Sequence, residues 1–186
     1  SPSKKVQKNK FGACLMQEPS LVGKCIDAMT KSTNLPITIK TRIGYNDVED
    51  INFLKSFIKT TKDAGSQKFI IHARKALLKK LSPKENLNIP PLKYDFVYKV
   101  KNHFKDDEII INGGIKTTNE IKHHLQLVDG VMIGRAVYQS PYFLAEIEKE
   151  VFGNKSVPTR SEVMEKLIPY IQEETSNGTQ LNHIMR

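Results

Sequence analysis

Four short β-branched runs recur along the chain, "ITIK", "KFII", "EIII" and "GVMI", and a helix-type pattern separates each from the next. This strict alternation is the feature that most restricts the fold. Parallel strands cannot be joined by tight turns, so each needs a crossover helix, and such crossovers are right-handed. The expected class is therefore α/β with a parallel sheet.

The segments bear this out one by one. In residues 35–44, "LPITIKTRIG", Ile37 and Ile39 alternate with Thr38 and Lys40, as expected of a strand with one apolar face. A helix follows with Ile51, Leu54 and Ile58 on one face, capped by Asn46 or Asp47 and stopped by Gly65. Residues 68–74 form the second strand, and a long polar loop leads to a helix bearing Val97, Val100 and Phe104. The third strand ends in "INGG", after which Thr117 and Glu120 form a capping box for a helix through Leu125. Residues 130–134 are the fourth strand, followed by a helix with Leu144, Ile147 and Val151 on one face and Gly153 past its end. Ahead of the first strand a helix from Ser20 aligns Leu21, Cys25 and Met29.

Four units cannot close a barrel alone, but they match the second half of a TIM (β/α)8 barrel. A doubly wound open sheet is the rival, although no G-x-G-x-x-G follows any strand. Residues 1–153 hold this rhythm. From 154 to 186 it changes: "NKSVPTR" reads as a linker, and Thr159 with Glu162 caps a helix bearing Val163, Leu167, Tyr170 and Ile171, which Pro169 kinks or ends. This is the expected start of an α-helical domain. The absence of an initiator Met and the C-terminus within a continuing segment suggest a fragment, one that would neither close a stable barrel nor turn over.

Lys and Arg total 29 against 20 acidic residues, a net charge of +9, which favours polyanions and makes nucleic acid a candidate partner. A compositional bias toward lysine explains the same number. The two cysteines, Cys14 and Cys25, have no zinc-type spacing and no signal peptide precedes them, which points to reduced thiols in the cytoplasm and to no metal. No apolar run reaches membrane-spanning length.

In a parallel barrel the chemistry collects at the carboxyl ends of the strands. There stand Lys40 with Arg42, His72 with Arg74, Asn112 with Gly113 and Gly114, and Gly134 with Arg135. Glycines let backbone amides approach an anion, so Gly113, Gly114 and Gly134 are candidates to cradle one phosphate with Arg135 adding charge, or else they merely turn the chain. Lys40 either meets an anionic ligand or extends to solvent. His72 by itself reads best as a core histidine satisfied by a carbonyl; His103, His123, His124 and His183 read as surface residues without chemistry. The loop after the second strand carries Lys75, Lys79, Lys80 and Lys84, a basic lip or an ordinary solvated loop.

Together "SPSKKVQKNKFGACLM", "ITIKTRIG", "FIIHARKALLKKLSPKENLNIPPL", "INGGI" and "DGVMIGRAVYQSPY" resemble, in order and from end to end, the tRNA-dihydrouridine synthases, most closely the branch acting on D-loop uridines near position twenty. The resemblance implies a barrel that binds flavin mononucleotide (FMN), followed by a helical tRNA-binding domain, in an enzyme monomeric when complete. It implies that NADPH reduces the flavin, that a hydride passes to uracil, and that a cysteine donates the matching proton. It also implies that Lys40 and His72 meet the flavin ring and ribityl region, that Asn112, Gly113, Gly114, Gly134 and Arg135 hold its phosphate, and that Lys10 and Lys84 contact tRNA. Two positions depart from the pattern. Ser1 stands where the proton-donor cysteine belongs, and a hydroxyl is too weak an acid for that step. Leu87 replaces an arginine that commonly follows "SPKEN". Cys14 matches a non-catalytic position and reads as a packed thiol. A non-catalytic tRNA-binding remnant, or another FMN barrel oxidoreductase acting on a small molecule, are the alternatives.

Overall fold

A computed structural model describes residues 8–9, 11–78 and 81–185. Ser1 and Lys10 therefore lie outside the described residues, as do Lys79 and Lys80. The chain parts into two compact units, residues 1–136 and 137–186.

In the first unit, strands β1 (Thr38–Arg42), β2 (Lys68–His72), β3 (Glu108–Asn112) and β4 (Gly130–Met132) form one parallel sheet in the order β1-β2-β3-β4. The order never reverses. With right-handed crossovers, that puts all the connecting helices on one face of the sheet. Those helices are α2 (Ile51–Asp63), α3 (Tyr94–His103) and α4 (Thr118–Leu125), with α1 (Pro19–Ser32) ahead of β1. The pleat sorts the side chains accordingly. Phe69, Ile71, Ile109 and Ile111 on alternate positions of β2 and β3 are fully buried, together with Leu54 and Ile58 of α2 and Val97 and Val100 of α3. The intervening Ile70 and Ile110 are only half-buried, on the same face as Lys40, Arg42, His72 and Asn112.

Register sets the site. Arg42 aligns with His72, His72 with Asn112, and Asn112 with Met132, so the ends of all four strands fall on one line, three of them polar.

Several local expectations hold. Thr117 and Glu120 form the capping box of α4, which ends at Leu125, and Thr159 and Glu162 form that of α7 (Arg160–Ser176). Gly65 follows α2 with φ of 114°, and Gly153 has φ of 71°. Other expectations are corrected. The cap of α2 is Asp50, whose side chain accepts from the Asn52 amide at 3.0 Å; Asn46 instead takes φ of 46° and accepts from the Leu78 amide. The inner face of α1 is Gly23 and Ile26, while Leu21, Cys25 and Met29 point outward. Gly23 faces α2, where a Cβ would make only ordinary contact with Thr60 at 3.6 Å.

In the second unit, α6 (Phe143–Glu150) buries Phe143 and Ile147 and exposes Leu144, one position off the expected face. A five-residue helix that the sequence did not signal, α5 (Arg135–Gln139), precedes it across the boundary of the two units. Pro169 lies inside α7 without ending it. Of the four residues assigned to one face of α7, Leu167 and Ile171 are half-buried but Val163 and Tyr170 are exposed. A final turn, α8 (Leu181–Ile184), follows. No helix among the described residues is long and apolar enough to cross a membrane.

Candidate functional site: a cationic strand-end cluster

The strand ends bring four cations around one imidazole. His72 is 7% exposed, and its Nδ1 has no hydrogen-bond partner among the described residues. The expected carbonyl acceptor is not there, which corrects the reading of a satisfied core histidine. Burial first, and then Arg42, Lys40, Arg74 and Arg135, push its pKa down to about 3. Every charge acting appreciably on His72 is thus positive, and a neutral imidazole is the state that such surroundings allow.

Each cation is positioned differently. Lys40 donates from Nζ to Asn112 Oδ1 at 3.0 Å, and Asn112 Nδ2 donates to the Met132 carbonyl at 2.8 Å. Although part of the Lys40 side chain faces solvent, the protein packed about its ammonium, and secondly Arg42, hold its pKa below the ordinary value. Arg42 is buried and donates from Nη1 to the carbonyls of Lys75 and Asn86 at 2.9 and 3.0 Å. Burial and Arg74 lower its pKa to about 10, so it remains charged at neutral pH. Arg74 donates to the carbonyls of Asn88 and Pro90, while its buried Nε has no partner. Arg135 is exposed and donates from Nη1 to Asn88 Oδ1 at 2.8 Å.

Cations gathered without carboxylates, next to orphaned buried nitrogens, constitute an unpaid electrostatic debt that an anion would settle. Gly113 and Gly114 stand beside them with φ of 125° and 73°. A Cβ on Gly113 would come within 3.2 Å of the His72 ring, and one on Gly114 within 2.7 Å of Leu92 Cδ1. Both positions therefore favour glycine for their positive φ, and at Gly113 the His72 ring adds a limit on space. Gly134 is exposed and has open space around it, so no packing demand explains that glycine.

The loop after β2 is a folded element rather than a solvated one. Asn86, fully buried, accepts from the Leu77 amide at 2.7 Å and donates to the carbonyls of Leu77, Leu81 and Ser82. Glu49 pairs with Lys75 at 2.8 Å and with Lys93 at 2.6 Å, clipping both ends of the loop. Lys75 is thereby withdrawn from the basic lip, which among the described residues keeps exposed Lys84. Asn86, Asn88 and Glu49 escaped the sequence reading; the only signal was the Ser82 and Glu85 pairing within "SPKEN", which the structure realises at 2.8 Å from the Ser82 amide to Glu85 Oε2.

His124 is also corrected. It is 3% exposed rather than superficial, and its Nδ1 shares a hydrogen bond with Tyr98 Oη at 2.7 Å. Cys14 is half-buried, with Sγ donating to the Phe11 carbonyl, and Cys25 is exposed. No cluster of His, Cys, Asp and Glu among the described residues is suited to a metal.

The model of the dihydrouridine synthase family matches residues 1–186, the whole chain. The chain belongs to that family. Relatives named tRNA-dihydrouridine(20/20a) synthase include proteins of Vibrio cholerae, 50% identical over 187 residues, Pasteurella multocida, 48% over 186, and Synechocystis, 45% over 186. Each comparison takes in 100% of this chain but only 56–57% of the relative. As a dihydrouridine synthase sequence, then, the chain spans a little over half the length of the curated proteins it matches, and its strand-end cluster lies within the shared part.

Proposed function

We propose that the protein carrying this chain is an FMN-dependent tRNA-dihydrouridine synthase, which reduces D-loop uridine with NADPH in the cytoplasm. On this reading residues 1–153 are the later half of a (β/α)8 barrel, and residues 154–186 begin a helical tRNA-binding domain. The unreversed strand order supports the barrel over the doubly wound sheet, because the latter reverses its order to cover both faces.

The observation that carries the proposal is the ring of Lys40, Arg42, Arg74 and Arg135 about an unpartnered His72. A flavin phosphate fits its chemistry: an anion, amides bared by glycine and cationic side chains without carboxylates. Lys40 and His72 would meet the ring and ribityl region, while Asn112, Gly113, Gly114, Gly134 and Arg135 would hold the phosphate. When bound, the flavin would supply a hydride for uracil. A neutral His72 can donate or accept one hydrogen bond without adding charge. A target uridine must leave its base stack, at a cost of a few kcal/mol, which phosphate contacts by Lys84 and Lys10 would offset.

Proton donation falls to the position of Ser1, outside the described residues. That serine favours a second reading, a tRNA-binding protein without turnover. One experiment separates the two: measure dihydrouridine in tRNA from cells lacking the gene. Loss of the modification supports the enzyme, unchanged levels with retained tRNA binding support the second reading, and a purified protein that binds no flavin sinks the first.

A further inference from the structure

The turn of Gly113 and Gly114 has a support that the strand-end residues do not explain. Tyr94, the first residue of α3, donates from Oη to the Gly113 carbonyl at 2.6 Å. In a planar trans peptide the carbonyl of one residue and the amide N–H of the next point in opposite directions, and no peptide of the described chain is cis. Holding the Gly113 oxygen against Tyr94 therefore turns the Gly114 N–H away from Tyr94. That N–H has no acceptor among the described residues. Gly114 is half-buried, and an amide donor left without a partner in the chain is one that a ligand can take up.

Tyr94 is itself held. Its ring meets His124 edge to face at 4.6 Å, and His124 is buried and tied to Tyr98 Oη. Leu92 packs beside the turn, within 2.7 Å of where a Gly114 Cβ would stand, a position also 3.4 Å from Tyr94 Oη. Burial first, and Glu120 second, raise the pKa of Tyr94, so its hydroxyl keeps its proton at neutral pH.

We propose that Tyr94 is a positioning residue, whose hydrogen bond to the Gly113 carbonyl aims the Gly114 amide at a phosphate monoester. This rests on the reading of the cluster as the FMN phosphate site. It predicts a specific signature: Tyr94 matters for a ligand with a phosphate and not for the same ligand without one.

The test compares FMN with riboflavin, which lacks the phosphate, on the purified protein freed of flavin. The wild type should bind FMN more tightly, and Tyr94→Phe, which removes one oxygen and keeps the ring, should weaken FMN about three- to tenfold while leaving riboflavin unchanged. An equal loss for both ligands, or none for either, overturns the role of Tyr94. A wild type that does not prefer FMN overturns the phosphate site itself, a separate outcome. If Tyr94→Phe does not fold, the Gly114 amide resonance of the wild type is followed while inorganic phosphate is added. Movement of that resonance supports the proposal; a resonance that stays put while others move overturns it.

Discussion

Lys40 on β1 reaches over β2 to meet Asn112 on β3, with Nζ 3.0 Å from Oδ1. The contact is diagonal, because Lys40 aligns with Ile70 and Ile110, two residues before Asn112. It settles the orientation of the Asn112 amide: Oδ1 accepts from the lysine and Nδ2 donates to the Met132 carbonyl. Three of the four strands are thus joined through one neutral side chain, which leaves the ammonium uncompensated.

A carboxylate at position 112 should undo this. Asn112→Asp would neutralise Lys40 and lose the donor to Met132, so FMN affinity should fall at least about tenfold. Fluorescence titration checks the affinity. The same substitution should raise the pKa of His72, read from its ring protons by NMR, because one of the repelling cations is then paired.

His72 gives folding a pH dependence of known sign. Folding lowers its pKa from 6.5 to about 3, so between those values the unfolded chain binds more protons than the folded one. Its contribution is complete above about pH 6.5 and falls away as the pH drops toward 3, by at most about 1.4 kcal/mol per pH unit. Urea unfolding at pH 7 and 5.5 should show a smaller loss in His72→Asn than in the wild type. His124, whose pKa burial also lowers, adds to both proteins alike and drops out of the comparison.

The glycines should separate by substitution. Gly114→Ala forces a side chain onto φ of 73° and into Leu92, and should cost about 1–3 kcal/mol in stability. Gly134→Ala meets open space and should leave stability within about 0.5 kcal/mol of wild type. A clear loss of FMN affinity in Gly134→Ala at unchanged Tm is the expected outcome; unchanged affinity removes Gly134 from the phosphate site.

Asn86 should prove critical for the loop. Asn86→Ala strands the Leu77 amide and three carbonyls, with an expected cost of about 2–4 kcal/mol. Hydrogen exchange should speed up through residues 77–89 before the sheet is affected. Equal protection in variant and wild type would show that Arg42 and Glu49 suffice.

Lys84 is exposed and carries no structural burden, so Lys84→Ala should leave folding and FMN binding intact. Its tRNA affinity should weaken, and the slope of log affinity against log salt should drop by about one. A flavin-binding defect in this variant would contradict the division of labour between lip and strand ends.

The strands, the crossover helices, both capping boxes and the glycine stops were legible in sequence because each depends on neighbours a few residues away. Thr117 needs only Glu120, and Gly65 needs only the end of its helix. Faces of helices were less legible. Leu21, Cys25 and Met29 outweigh Gly23 in hydrophobicity, yet α1 turns Gly23 and Ile26 inward, because the buried face is set by how the helix packs on α2. His124 looked superficial until Tyr98 and Tyr94, one helix away, closed over it.

The candidate site divides the same way. Sequence alone determined which residues end the strands, and hence that Lys40, His72, Asn112, Gly113, Gly114 and Arg135 share one rim. Only the tertiary structure decided that His72 is unpartnered, that four cations act on it together, and that Asn86 and Glu49 shape the loop beside it. The reason is physical: strand periodicity is a local property of the chain, whereas Coulomb repulsion and desolvation at His72 depend on Arg42, Lys40 and Arg135, which lie 30, 32 and 63 positions away and come near only once the sheet is in register.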